Sequence, residues 1–235
     1  MKQRAIFCMG VILFFGSVAA YPQETAGRQE SKETTPAAIQ SLFPMEQDFS
    51  WRYERISKEG VSHYTTSYRG SREMDGHTYH ILSNPYGVSY YISSPDFLKI
   101  GGMVQNEDVN KVNFYEEGDI VRLKTPLASG NRWQGRAVLE KEEDVIITAY
   151  HTEILGWEKV TVPAGDFDSI VTSSTQHTIF IKKKTGVGRG MLTFEQAWYS
   201  PGTGMVRRDM HLLYPGDVRV PLRDDRLEEF IRKKK

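Results

Sequence analysis

A chain of 235 residues carries 30 basic and 30 acidic side chains, 11% aromatics and a single cysteine. This neutral balance gives no basis for nucleic-acid binding or for general attraction to an anionic membrane. Cys8 falls in an N-terminal targeting segment, so the rest of the chain has no thiol for disulfides, nucleophilic catalysis or thiolate metal sites.

The targeting segment opens with Lys2 and Arg4, continues through an apolar run from Ile6 to Phe15, and ends in the small residues Gly16, Ser17, Ala19 and Ala20. Val18 and Ala20 fit the −3 and −1 places of a cleavage site before Tyr21. The reading is a cleaved signal peptide over 1–20, hence a periplasmic or secreted protein with no transmembrane span after cleavage. The apolar run is shorter than the ~20 residues of a spanning helix, and an uncleaved anchor is the second reading. Cys8 follows Phe7 early in the run, which argues against lipid attachment there. About 215 residues then remain, enough for one substantial core or two small ones.

Residues 21–41 read as a disordered tether, polar and aperiodic, with a short N-terminal helix between Ala37 and Phe43 stopped by Pro44. Strand patterns follow. Phe49, Trp51 and Tyr53 share one face while Ser50, Arg52 and Glu54 share the other. Glu59-Gly60, Asp75-Gly76 and Asn84-Pro85 are turn signals between β-rich runs. Residues 95–110 are less regular, with short strands predicted at 111–115 and 119–123. The second half is clearer: strands at 136–140 and 145–154, the stretch Lys159 to Phe167, then 167–176, 177–182, 191–199 and 205–213. In the stretch around Val160 and Val162, Pro163 stops a strand because it cannot donate to a ladder, and Gly165 takes the turn. Residues 224–235 form a charged amphipathic tail. Leu227, Phe230 and Ile231 at i, i+3 and i+4 admit a C-terminal helix there. Many short strands with turns between them predict an all-β domain over 42–223, built as one curved antiparallel sheet, a half-barrel or open barrel.

Three landmarks carry a resemblance: Phe49-Ser50-Trp51-Arg52-Tyr53, then Val160-Thr161-Val162-Pro163-Ala164-Gly165-Asp166-Phe167, then Trp198-Tyr199-Ser200-Pro201-Gly202-Thr203-Gly204-Met205-Val206. Their order and spacing resemble the TapB-like family of exported bacterial β proteins, over roughly 42–213. The resemblance implies a fold like the half-barrels of lipoprotein carriers, with a curved sheet around an apolar interior. It brings no catalytic residues. It implies Gly165, Gly202 and Gly204 as backbone bends and Trp51, Phe167 and Trp198 as packing anchors.

No constellation of catalytic residues stands out. His77 and His80 lie three apart, on opposite faces of a strand, and read as two ordinary strand histidines. Asp166 and Asp168 would share a strand face and could divide acid and base roles, but beside a turn glycine they read as backbone-bonding turn residues. Gly186-Val187-Gly188-Arg189-Gly190 is followed by a strand pattern rather than a helix, which disfavours a phosphate cradle. Lys182, Lys183, Lys184 and Arg189 read as solubilising charge at a hairpin end, and residues 232–235 as the same at the chain end. The candidate ligand-binding residues are Trp51, Tyr53, Tyr64, Tyr68, Tyr90 and Trp198, an aromatic set able to line a concave sheet. The functional expectation is an exported, non-catalytic envelope protein without a cofactor, which binds a lipid-like or other amphipathic ligand or docks an envelope partner. The alternatives are a secreted hydrolase using Asp166, Asp168 and a histidine, and a structural accessory of a surface assembly.

Overall fold

The computed structural model describes residues 38–104, 113–216 and 218–232. The signal peptide, its cleavage site, the tether up to residue 37 and the last three lysines lie outside them. No helix among the described residues is long and apolar enough to cross a membrane.

A single helical turn, α1 (Ile39–Leu42), precedes thirteen strands. In chain order these are β1 (Phe49–Ser57), β2 (Gly60–Met74), β3 (His77–Asn84), β4 (Gly87–Ser93), β5 (Phe97–Val104), β6 (Asn113–Glu117) and β7 (Ile120–Lys124). Then come β8 (Arg132–Glu140), β9 (Asp144–Val162), β10 (Gly165–Lys182), β11 (Gly188–Ser200), β12 (Gly204–Tyr214) and β13 (Val218–Arg232). All pairings are antiparallel. Every ring neighbour is the next strand in sequence except where β6 pairs with β8 past β7, and where β1 pairs with β13.

Those pairings close the sheet on itself. Phe49 to Ser57 of β1 lie against Arg232 to Arg223 of β13, and β4 joins β5 as well as β3. Twelve strands form a closed up-and-down barrel, and β7 lies outside it along the first half of β5. The expected half-barrel or open barrel is therefore corrected to a closed one, and the C-terminal helix to a strand. The physical reason lies in β13 itself. Without it, β1 and β12 would each present a row of unpaired backbone groups, and pairing both edges outweighs the local helical spacing of Leu227, Phe230 and Ile231. A bulge opposite Arg52 and Tyr53 resets the alternation, so that Leu227 and Phe230 both reach the aromatic core around Trp51.

The barrel interior combines a large apolar core with a few buried charges. Trp51, Tyr53, Leu98, Ile100, Ala137, Ile154 and Tyr199 are buried. The outer faces of β1, β12 and β13 carry ion pairs, Arg52 with Glu228 and Asp224 with both Arg207 and Arg226.

One end of the barrel is plugged. Ile39 and Leu42 of α1 are fully buried among Leu98, Ile100 and Tyr199. The amide of Gly202, in the β11–β12 turn, donates to Ser41 O at 2.6 Å, and Trp51 Nε1 donates to Thr203 O in the same turn. The short helix expected before Pro44 is present and acts as this stopper.

Pro163 and Ala164 make a two-residue turn between β9 and β10, as the sequence predicts, with Gly165 at φ +127°. The hairpin tip docks on the barrel: Val160, Val162 and Val171 cluster with Trp198, Val206 and Leu227, and Ala164 N donates to Leu227 O at 2.9 Å. A Cβ at Gly165 would meet no atom within 4 Å, so Gly165→Val is charged only for its backbone conformation. The expected cost is about 1–2 kcal/mol in a urea melt, and an unshifted midpoint would show that the turn relaxes freely.

Candidate functional site

The alternation of β-strands fills the barrel from all sides, yet the filling is incomplete. A cavity of about 300 Å³ remains inside. At the plugged end its wall is apolar: Phe43, Trp51, Leu98, Ile100 and Met205. Toward the other end, where the β3–β4 turn lies, the wall becomes polar, with Asn84, Ser89, Arg55 and Arg223. Tyr86, 48% exposed, marks the place where the cavity meets solvent. The Arg55 guanidinium lies against both rings there, 4.6 Å from the ring centre of Tyr64 and 4.2 Å from that of Tyr86.

Two carboxylates and four guanidiniums occupy this interior. Glu195 on β11, 4% exposed, accepts from Arg122 Nη1 through Oε1 at 2.8 Å and from Arg208 Nη2 through Oε2 at 2.6 Å. Asp225 on β13, wholly buried, accepts from Arg55 Nε at 2.6 Å and from Arg55 Nη2 at 3.3 Å, while Arg223 Nε lies 3.4 Å from its second oxygen. Strand pairing explains the convergence. Arg208 is the cross-strand partner of Asp225, and Ala197 of Arg208, so Glu195 lies two residues along the same face.

The charges perturb one another. Burial alone would raise the Glu195 carboxyl, but the guanidiniums of Arg122 and Arg208 outweigh it and hold the group at about 2. Burial would lower the basicity of Arg208, and Glu195 more than compensates. Arg223 is the exception. Burial and repulsion from Arg208 pull it down to about 10, and Asp225 offsets only part of that. Burial raises Tyr53, Tyr64, Tyr91 and Tyr199, so these phenols stay neutral walls near neutral pH.

Of the six aromatic residues predicted as ligand-binding, Trp51, Tyr53 and Tyr64 come together on the cavity wall. The others lie elsewhere. Tyr68 pairs its hydroxyl with His80 Nδ1 at 3.1 Å. Tyr90 packs in a separate cluster with Tyr79, Ile92 and Phe114. Trp198 donates to Glu158 and lies under Arg207, against the β9–β10 hairpin. Asp166 and Asp168, read as turn residues with acid–base use as the alternative, both lie on β10 and are exposed, and Asp166 accepts from Thr161 Oγ1 at 2.7 Å. Lys182 and Lys183, read from the sequence as solubilising charge at a hairpin end, pair there with Asp144 and Glu140.

The charged residues of the cavity were not singled out by sequence reasoning, although a signal was there. Arg55 continues the Trp51–Tyr53 alternation, Glu195 shares the parity of Ala197 and Tyr199, and Asp225 that of Leu227. An ionised residue in register with a buried aromatic face is the mark of an interior charge.

No known family profile matches the chain, and no curated protein sequence does. Two solved structures are similar in fold. A proposed lipoprotein from Parabacteroides distasonis ATCC 8503 aligns with 84% of this chain and all of its own, at 14% identity and a TM-score of 0.50. A proposed exported protein with a YmcC-like fold from Bacteroides fragilis NCTC 9343 aligns with 83% of this chain and all of its own, at 11% identity and a TM-score of 0.41. At 14% identity the likeness of the first is one of fold alone.

Proposed function

We propose that this chain is an exported, non-catalytic envelope barrel that holds an amphipathic ligand in its lumen. The observation that carries the reading is the graded cavity: an apolar floor at the plugged end, a polar and charged wall toward the mouth, and aromatic sides between. Its volume is at the lower edge of the roughly 300–1,000 Å³ typical of small-molecule sites. The non-catalytic reading is supported by how the buried acids are used. Both oxygens of Glu195 and of Asp225 already face guanidiniums, which leaves neither as a free base. Export, with cleavage after Ala20 and a periplasmic or secreted destination, rests on the N-terminal segment, and the description of the Parabacteroides protein as a lipoprotein agrees with it. Membership of the TapB-like group belongs to the same reading and rests on the three turn-and-aromatic landmarks.

The test is thermal unfolding in the presence of lipid and glycan fractions extracted from bacterial envelopes. A ligand that binds only the folded barrel raises the midpoint by mass action, by about 2.7 kcal/mol of added stability at a hundredfold excess over Kd. No shift with any fraction removes the ligand reading. Specific capture of one envelope protein in pull-downs, with an unmoved midpoint, would favour docking of a partner instead.

A further inference from the structure

The chemistry of the lumen narrows the class of ligand. Resting on the lumen reading above, we infer that the cavity selects an acidic headgroup, a phosphate or a carboxylate, and docks it on the guanidiniums of Arg55, Arg208 and Arg223. Among the described residues, four guanidiniums face two carboxylates, Glu195 and Asp225, which gives that set a surplus of two positive charges. Buried charge without a counter-charge is costly, and soluble proteins rarely keep it unless something compensates. Neither carboxylate has an oxygen to spare. Arg208 Nε has no hydrogen-bond acceptor, and the approach of Arg223 Nε to Asp225 has the distance of an ion pair without hydrogen-bond geometry.

Arginine is suited to this task. Its planar fork presents parallel donors that match the oxygens of a carboxylate or phosphate, and the resulting charge-assisted bonds are about twice as strong as neutral ones. Arg223 is the least compensated of the four and lies on the same wall as Arg55 near the mouth, where a headgroup would be held. A phosphate monoester bearing two negative charges would neutralise the surplus, whereas a carboxylate would halve it. The apolar portion of such a ligand would then point toward Trp51, Phe43 and Leu98, above the α1 stopper.

Calorimetric titration of the purified protein with octyl phosphate, octanoate, octanamide and inorganic phosphate tests this. Octyl phosphate should bind best, and both acidic amphiphiles should bind at least roughly tenfold more tightly than octanamide. Arg223→Gln should shrink the preference to within about threefold, with far-UV circular dichroism unchanged. The comparison of charged with neutral probes on the native protein stands even if that variant folds poorly. Equal affinity for octanoate and octanamide overturns the headgroup assignment and leaves the lumen reading intact. Binding of none of the three amphiphiles overturns both, unless inorganic phosphate binds. Inorganic phosphate binding as tightly as octyl phosphate supports the anion site and overturns the amphiphile in favour of a free anion.

Discussion

Replacing Asp225 with asparagine is expected to remove about 3–5 kcal/mol of stability, the cost typical of breaking a buried ion pair by deleting one partner. Asp225 has no solvent exposure and faces Arg55 at 2.6 Å and Arg223 at 3.4 Å. Asparagine preserves the shape and can still accept one bond from Arg55. It leaves the four guanidiniums of the interior with Glu195 as their single counter-charge. The destabilisation should therefore come from uncompensated charge rather than from lost packing. Two further measurements separate these causes. Adding Arg55→Met should recover part of the loss, because it removes the charge that the asparagine stranded. An acidic lumen ligand should also stabilise Asp225→Asn more than it stabilises the native protein, since the variant carries a larger positive surplus. A cost below about 1 kcal/mol in urea unfolding would mean that these ions are hydrated and screened as a surface pair is.

The same residue shows where local pattern and global topology part. Asp224-Asp225-Arg226 reads as solvated tail in the sequence, and the spacing of Leu227, Phe230 and Ile231 suits a helix. Yet β13 is the strand that closes the ring, and Asp225 is among its most buried side chains. Nothing in the segment itself specifies that, besides its hairpin partner β12, the edge of β1 far back in the sequence awaits it. Strand pairing depends on cross-strand neighbours far more than helix formation does, and register was set here by partners about 170 residues away, as the Arg55–Asp225 bond reports. Features governed by local chemistry fared differently. The Pro163–Ala164 turn with Gly165 at positive φ, the hairpin at Asp75-Gly76 and the aromatic face of Trp51 and Tyr53 were all legible, because turn sterics and period-two alternation act within a few residues. Tyr90 shares the composition of a ligand wall but packs into a separate cluster, and Trp198, though in the cluster of Trp51 and Tyr53, bonds Glu158 and does not line the cavity, since burial alone does not say what a ring faces.

Acidification should weaken the barrel through Glu195. Its folded-state value, about 2, lies below the ordinary 4.5, so the unfolded chain takes up the proton first as pH falls. The stabilisation is thus fully present above about pH 4.5 and is lost progressively as pH descends toward 2. A displacement of that size is worth on the order of 3 kcal/mol for a group this deeply buried. Protonation does more than silence one charge, because the oxygen that takes the proton no longer faces its guanidinium as a carboxylate acceptor, and Arg122 and Arg208 bond one oxygen each. Urea unfolding of the native protein and of Glu195→Gln, compared between pH 7 and pH 2.5, isolates the effect. The variant should be the weaker protein at pH 7 and should lose less stability on acidification, so the two curves converge toward pH 2.5. Parallel curves over that interval would assign the acid sensitivity to the surface carboxylates and would remove Glu195 as the electrostatic keystone of the lumen.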